Sequence, residues 1–420
     1  MRIIFHEMKK IWNLKIIGII VIFSLMFYVA FLSFFVEHHP NNHHSAANLA
    51  YCVMLVEKYG NTLQPEQLEE FRQVYDELLR EADIFIAANP RFAEIEVYNY
   101  ADYLQKTEEL YADGGEEELT DEANEILIMM SREFHDLPYI NLPDDTKITA
   151  SSPENNSIAN NIMAADGILS RYETVLDPSV LLEHGGVPNL PGTNAVRKRH
   201  TEMVSTDEYK SVIPNETIWY TVEYAKYVAL LVVIATLILL SPLLTTDRIR
   251  KVHQLQYTAH EGRRIIRKQL AAVLMSSLIL TSAMILGFGA VFATNNTQFF
   301  WNSYVSSFNS FWYLSVKLTF GQYVLVMVGL LYLAGLLAAL LAFILSRFCS
   351  NYIALVAGLI PSAFALGFLG NEVIFQHPLG WFFNETGIAL FEPFVYLVLV
   401  AIALVAVGCI LRRERRVDVG

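Results

Sequence analysis

The chain has 420 residues, of which 54% are hydrophobic and 17% are charged. This composition excludes an ordinary soluble protein, and the polar interruptions between apolar runs exclude a uniform helical bundle. The formal net charge of −13 is unevenly divided: residues 37–219 carry 34 acidic and 12 basic side chains, whereas the remainder carries 9 acidic and 18 basic. The sequence therefore predicts a membrane protein with one acidic and one basic compartment, as the positive-inside rule produces.

Cysteine is scarce, with three residues in the whole chain, and only Cys52 lies in the acidic region. An intramolecular disulfide within residues 37–219 is therefore excluded. The region exceeds the usual size of one domain, so we expect it to fold around a core of its own.

The N-terminus predicts an amphipathic helix at the membrane interface, over residues 1–15. Its apolar side is formed by Ile3, Ile4, Met8, Ile11 and Trp12, and its polar positions are Arg2, Glu7, Lys9 and Lys10. Residues 16–36 follow without a charge, and 21 residues at 1.5 Å each span roughly 30 Å. This run predicts a retained first span, with the N-terminus inside.

A histidine-rich tract, EHHPNNHH, follows the first span at residues 37–44. Imidazole is a good ligand for zinc, copper and nickel, so the tract is a candidate metal site. The alternative is a polar, proline-broken exit from the helix. The candidate ligands are His38, His39, His43 and His44.

The acidic region, residues 37–219, predicts a large and mostly helical extracytoplasmic domain. Apolar residues recur at helical spacing after Pro65, and Asn89-Pro90 is a stop signal. Further helices are predicted over 92–110 and 121–134, and loops with short helices around 158–176 are predicted over 138–203. No zinc spacing, nucleophile elbow or carboxylate pair occurs in this region.

The rest of the chain predicts five more spans, which with the first make a polytopic six-span protein of the mainly α class. Aromatic residues in the outer segment 294–317 predict an interfacial belt or, alternatively, a substrate surface. Small residues around Gly335 serve either packing within the chain or dimerisation. The predicted parts are span 2 at 220–245, spans 3 to 6 at 269–411, a re-entrant hairpin at 370–393 and a basic tail at 412–420.

Residues 246–268 form a basic segment between the second and third spans. Apolar residues at helical spacing predict an amphipathic helix, broken at Gly262 before a second basic helix enters the membrane. Its charge places it on the cytoplasmic side together with both termini of a multi-pass cell-membrane protein. Such a segment either docks on a soluble protein or serves only as a stop-transfer signal.

Familiar catalytic and energy-coupling motifs are missing from the sequence. It has no GxxxxGK[ST] phosphate loop, no HExxH and no GxSxG, and the predicted spans hold no charge typical of a proton relay. We therefore expect energy to come from outside the chain, through a cytoplasmic surface.

Three features together resemble a known family. They are the helix HEMKKIWNLK at 6–15, the stretch QYTAHEGRRIIRKQLAAVL at 256–274 and the interrupted hairpin before the last span. This order resembles the permease subunits of type-2 ABC exporters, particularly bacterial members with a large extracytoplasmic insertion.

The resemblance implies that the basic segment is a coupling helix docked on a separate ATPase subunit. The corresponding residues are Gln254, His260, Glu261, Gly262, Arg263 and Arg264. It also implies a second permease chain, lipid contacts, and ATP and magnesium bound by the ATPase rather than by this chain. We expect a transport subunit, not an enzyme, with no cofactor of its own and no nucleic-acid partner.

Two other classes remain open. One is a membrane sensor or mechanotransmitter, whose outer domain binds a peptide or metal and whose basic segment signals inward. The other is a membrane enzyme with its site in the outer domain, against which the missing catalytic constellation counts. An ATPase partner distinguishes the exporter from both.

Overall fold

The computed structural model describes residues 2–40, 43–113, 120–135, 157–176, 194–249, 265–310, 312–349, 351–370, 375 and 378–416. Over these residues the chain is mainly helical, which confirms the predicted class. Extended pairing within them is limited to two isolated bridges, Thr62 with Ser211 and Tyr304 with Thr319.

The helices are numbered here in chain order. They are α1 (Arg2–Ile11), α2 (Leu14–Phe27, continued by a π-helical turn at Tyr28–Leu32), α3 (Phe34–Glu37), α4 (His43–Tyr59), α5 (Pro65–Ala88), α6 (Pro90–Glu94), α7 (Tyr100–Asp113), α8 (Asp121–His135), α9 (Ile158–Leu176), α10 (Asn194–Ser205), α11 (Asn215–Leu240), α12 (Pro242–Ile249), α13 (Ile265–Phe292), α14 (Phe320–Phe348), α15 (Tyr352–Phe368), α16 (Trp381–Thr386) and α17 (Phe391–Arg416). Short 3₁₀ turns occur at Glu208–Lys210, Ala293–Asn295 and Thr297–Phe300.

Among the described residues, five helical stretches are long and apolar enough to cross a membrane. They are Leu14–Leu32, Asn215–Asp247, Ile265–Asn295, Phe320–Phe348 and Phe391–Arg413. The predicted fifth span is a shorter helix, α15, whose 17 residues extend about 26 Å at 1.5 Å per residue. Because this is less than the hydrocarbon thickness of about 30 Å, the total of six spans stays a prediction.

The second long helix, α11, is the centre of the bundle. Its most apolar 18-residue window is 76% buried, against 11% for α2. It packs against α2, α13, α14 and α15, and α14 packs in turn against α13 and α17. A helix enclosed on several sides transmits displacement to its neighbours, because a close-packed interior has few voids to absorb it.

Small residues on α14 permit this close packing. Ala334, Ala338, Ala339 and Ala342 are at most 1% exposed. A Cβ atom at Gly335 would collide with the Thr281 hydroxyl of α13 and lie 3.3 Å from Val232 of α11. The small residues therefore pack within the chain, where three helices cross.

The described part of the acidic segment, residues 37–219, contributes to two large hydrophobic cores and to a small cluster around Met203 and Tyr209. Leu68 and Phe71 of α5 join the core that is shared with the bundle, whereas Ala82 and Ile86 of the same helix join a second core with α6 to α9. Helix α9 likewise contributes to both cores. These two helices therefore connect the second core to the bundle.

The sequence predicted α5 well, predicted short helices where α9 is one helix of 19 residues, and predicted one continuous helix over 92–110 wrongly. The chain breaks there, because Glu96 has a left-handed φ of 59° and a new helix begins at Tyr100. The Asp102 carboxylate accepts the Tyr98 amide at 3.0 Å, and the Asn99 side chain accepts the Asp102 amide at 2.9 Å. Such local side-chain bonds compete with a continuous helix.

The aromatic segment, residues 294–317, joins the acidic segment to the bundle. The Phe308 amide donates to the Tyr209 carbonyl at 2.8 Å, and the Trp312 ring nitrogen donates to the Asn215 side chain at 3.0 Å. Phe300 and Trp312 are buried, whereas Phe299 and Trp301 remain exposed. Part of the predicted aromatic belt is therefore core.

We expect Gly335→Leu to destabilise the bundle by about 1–3 kcal/mol, because its side chain overpacks the crossing of α11, α13 and α14. The measurement is the thermal unfolding midpoint of the purified protein in detergent, followed by tryptophan fluorescence. Gly329→Leu on the same helix is the matched control, since a Cβ atom there meets nothing within 4 Å. Equal midpoints for the two variants would contradict this packing.

Candidate functional site: a polar cluster beside the basic segment

The predicted coupling residues Gln254, His260, Glu261, Gly262, Arg263 and Arg264 lie outside the described residues. Both flanks of the basic segment are described, however. Helix α12 ends at Ile249, and α13 begins at Ile265. The candidate site is therefore built from what these two flanks contact.

The N-terminal helix α1 lies against the flanks. Ile11 is buried in the main core, with Ile4 and Met8 packed against it. The Trp12 ring nitrogen donates a hydrogen bond of 3.1 Å to the Ser276 hydroxyl of α13. The chain then turns at Asn13, whose side chain accepts the Lys15 amide at 2.9 Å and so begins α2. The predicted N-terminal amphipathic helix is thus anchored on the third span.

A polar cluster of Glu7, Lys10, Asp247 and Gln269 connects α1 to both flanks. The Lys10 Nζ atom lies 2.8 Å from Glu7 Oε1 and 3.9 Å from Asp247 Oδ1. The Gln269 Nε2 atom donates to Glu7 Oε2 at 3.2 Å and to Asp247 Oδ2 at 3.1 Å. Glu7 and Gln269 are each 2% exposed, and Asp247 is 9% exposed. One amide group therefore bridges carboxylates from α1 and α12.

The charges of this cluster make its stability depend on the relative positions of α1, α12 and α13. It holds two carboxylates and one ammonium group, and a buried charge is costly unless it stays paired and hydrogen-bonded. The two protons of the Gln269 amide serve two different helices, so separation of α12 from α1 breaks at least one bond. The cluster is better suited to holding one defined arrangement of three helices than to adding net stability.

Sequence reasoning placed Glu7 among the polar positions of α1, and that was wrong. Glu7 stands four residues after Ile3 and four before Ile11, so it projects on the same side of the helix as both. That spacing was the available signal. Asp247 and Gln269 carried no such signal, because their proximity to Glu7 arises from tertiary packing.

A second buried carboxylate was also missed, at the start of the last long helix. Helix α17 begins at Phe391, three residues before the predicted start at Phe394, and so includes Glu392. Glu392 is 1% exposed, and its carboxylate accepts the Phe382 amide at 3.4 Å. This bond holds the short helix α16 of the predicted hairpin against α17.

The predicted histidine site is only partly described. His39 is buried, and its ring meets Tyr220 edge to face at 4.9 Å. The His38 carbonyl accepts the Tyr220 hydroxyl at 3.0 Å, while the side chain of His43 lies outside the description. Among the described residues no three His, Cys, Asp or Glu side chains converge as metal ligands. Metal binding by the tract stays a prediction.

Comparison with known proteins gives no relative. No family model matches the chain, and neither does any curated protein or solved structure. The polar cluster is accordingly interpreted from its geometry alone.

We expect Lys10→Met to weaken the docking of α1, because it leaves the Glu7 carboxylate buried without its cation. Breaking a buried pair costs several kcal/mol, and the 35% exposure of Lys10 reduces this to about 1–3 kcal/mol. The measurement is hydrogen exchange of the α1 amides in lipid nanodiscs, where faster exchange is expected. Lys9→Met, on the exposed side of the same helix, is the control. Identical exchange in both variants would refute the role of Lys10.

Proposed function

We propose that this chain is the membrane-embedded permease subunit of an ATP-driven exporter with type-2 ABC architecture. The observation that supports this most is the polar cluster, in which α1 is bonded to both flanks of the basic segment. A partner that moves the basic segment would displace α12 relative to α13 and thereby act on α1. A coupling site requires such a connection, because movement of the docked partner must be passed on to the membrane helices.

The connection continues into the bundle. Helix α12 follows α11 almost without interruption, and the two form one apolar stretch from Asn215 to Asp247. The Thr245 hydroxyl of α12 donates to the Ser346 carbonyl at the end of α14, at 3.3 Å. A force applied at the basic segment therefore reaches the most enclosed helix and its main neighbour. A partner drives such a shift only if its contacts differ between the two states.

The proposed topology follows the distribution of charge. Both termini and residues 246–268 lie in the cytoplasm of a multi-pass cell-membrane protein, and residues 37–219 lie outside. The proposed partners are an ABC ATPase subunit, which binds ATP and magnesium, a second permease chain and membrane lipid. Large apolar side chains exposed on α15 and α17 suit contact with lipid or with the second chain; they include Ile353, Phe364, Phe368, Phe394 and Val405.

The alternative is a membrane sensor, and one feature of the fold favours it. The second core of the acidic segment is connected to the bundle by α5 and α9, which is a suitable route for inward signalling. In that case the basic segment would contact a kinase or regulator instead of an ATPase. The identity of the cytoplasmic partner therefore decides between the two functions.

We expect the double variant Gly262→Pro with Arg263→Glu to lose most stimulation of ATP hydrolysis in the complex purified from its native membrane. Proline alters the break in the basic segment, and the glutamate reverses a charge at its centre. Membrane insertion should be unchanged, because the long apolar helices are intact.

Arg413→Glu is the matched control, since it reverses a charge in the basic C-terminal part of α17. Full ATPase stimulation in the double variant would remove the coupling assignment. Loss of stimulation in both variants would show an effect of charge alone.

A further inference from the structure

A buried ion pair of the acidic segment lies against the aromatic segment at the end of the bundle opposite the polar cluster. Arg199 of α10 donates from Nη1 and Nη2 to the two oxygens of Glu208, at 2.9 and 2.7 Å. Its Nε atom donates to the Leu314 carbonyl at 3.1 Å. Arg199 is 4% exposed and Glu208 is 0% exposed. Two guanidinium nitrogens therefore bind Glu208 within the acidic segment, and the third, Nε, holds α10 on the aromatic segment.

His200 lies directly beside this ion pair. Its side chain is 7% exposed, and its ring stacks on Tyr313 with 5.7 Å between centroids and 29° between planes. The Nε2 atom is buried, and no hydrogen-bond partner for it occurs among the described residues. An imidazole in this setting is tolerated as a neutral stacking ring.

The surrounding charges oppose a proton on His200. Both Glu208 oxygens are occupied by Arg199, and one also accepts the Thr206 hydroxyl at 2.9 Å. The charged and titratable groups of the contact are Arg199 and Glu202 on α10, Glu208 and Tyr209 on the following turn, and Tyr313 and Lys317 on the aromatic segment. Glu202 is half exposed and lies 3.7 Å from Arg199. Burial, followed by the Arg199 charge, lowers the pKa of His200 from its ordinary value of 6.5.

We propose that the contact between α10 and the aromatic segment is acid-sensitive, closed when His200 is neutral and opened when His200 is protonated. The contact is defined by Arg199, His200, Tyr313 and Leu314. Opening exposes the imidazole to water, where a positive charge is solvated. Protonation therefore favours the open form, and the sensor is the buried imidazole that stacks on Tyr313 beside the Arg199 guanidinium.

The direction of the pH dependence follows from linkage. A histidine whose pKa is lowered in the closed form binds its proton more readily in the open form. The closed contact is consequently most stable above the ordinary pKa of 6.5 and weakens progressively as the pH falls below it. Between pH 7.5 and pH 5.5 the population of the open form should rise by up to about tenfold.

Opening of this contact would also affect the segment that precedes the last long helix, α17. The Ser315 amide donates to the Leu379 carbonyl at 2.8 Å, and the Asn384 side chain donates to the Tyr313 carbonyl at 3.2 Å. Tyr313, which stacks on His200, thus also binds α16 in the segment preceding α17, and Ser315 adds a bond two residues further on. Acid would loosen the acidic segment and this hairpin together, a form of regulation that is separate from coupling at the polar cluster.

A half-buried histidine, His44, provides a control. Burial lowers the pKa of His44 as well, with Glu216 acting in the opposite direction and Arg171 in the same direction. It belongs to α4 and has no ring contact with Tyr313 among those given for the described residues, and the Glu216 carboxylate is near enough to favour a proton there. His44→Gln should therefore leave the acid response of α10 unchanged.

The experiment is hydrogen exchange of the full-length protein in lipid nanodiscs at pH 7.5 and 5.5, corrected for the intrinsic pH dependence of exchange. The amides to follow are those of residues 196–205 and 313–318. The wild type should lose up to about tenfold protection at pH 5.5. His200→Phe, which keeps a stacking ring without a titrating group, should show no pH-dependent loss.

His200→Gln is the second variant, and its side chain is also neutral at both pH values. It provides the same test if the phenylalanine side chain disturbs the packing around residue 200. Unchanged protection of the wild type at pH 5.5 would overturn the proposal. So would an equal loss in the wild type and in both His200 variants, because another group would then be responsible. A response abolished by His44→Gln would also overturn it.

Discussion

The arrangement of the helices beside the basic segment depends on the burial of Glu7. A carboxylate that is 2% exposed must be paired, and its partners come from α1 itself and from α13. Because Gln269 also binds Asp247, the requirement extends to α12 and so to the centre of the bundle. One buried charge thereby determines how the N-terminal helix, the two flanks of the basic segment and the most enclosed span are arranged.

Buried, hydrogen-bonded carboxylates hold neighbouring elements together at both ends of the bundle. Near the basic segment, a bridging amide and a lysine hold two carboxylates, whereas at the opposite end Arg199 holds one carboxylate and one backbone carbonyl. Between them runs α11, whose close contacts with α13 and α14 converge at Gly335. Polar bonds define the ends and tight apolar packing connects them, so movement at one end has a structural route to the other.

Sequence periodicity predicted the parts of the fold that local chemistry determines. Helix α5 was predicted from its apolar spacing, from Pro65 and from the stop at Asn89-Pro90, and all but one of the predicted spans appear as long apolar helices. The break at Glu96 was missed because it depends on side-chain bonds of Asn99 and Asp102. The polar cluster was missed because Glu7 and Gln269 are 262 positions apart, and only tertiary packing brings them together. The predicted coupling residues fall within 250–264 and stay a prediction.

The most direct test of the exporter account is purification of the chain from its native membrane in mild detergent, followed by quantitative mass spectrometry of the proteins that accompany it. The account predicts a soluble subunit with a GxxxxGK[ST] phosphate loop, at about one copy per permease chain, because this chain has no such loop of its own. Purification with a kinase or regulator in its place, or with no soluble subunit at all, would contradict the exporter account.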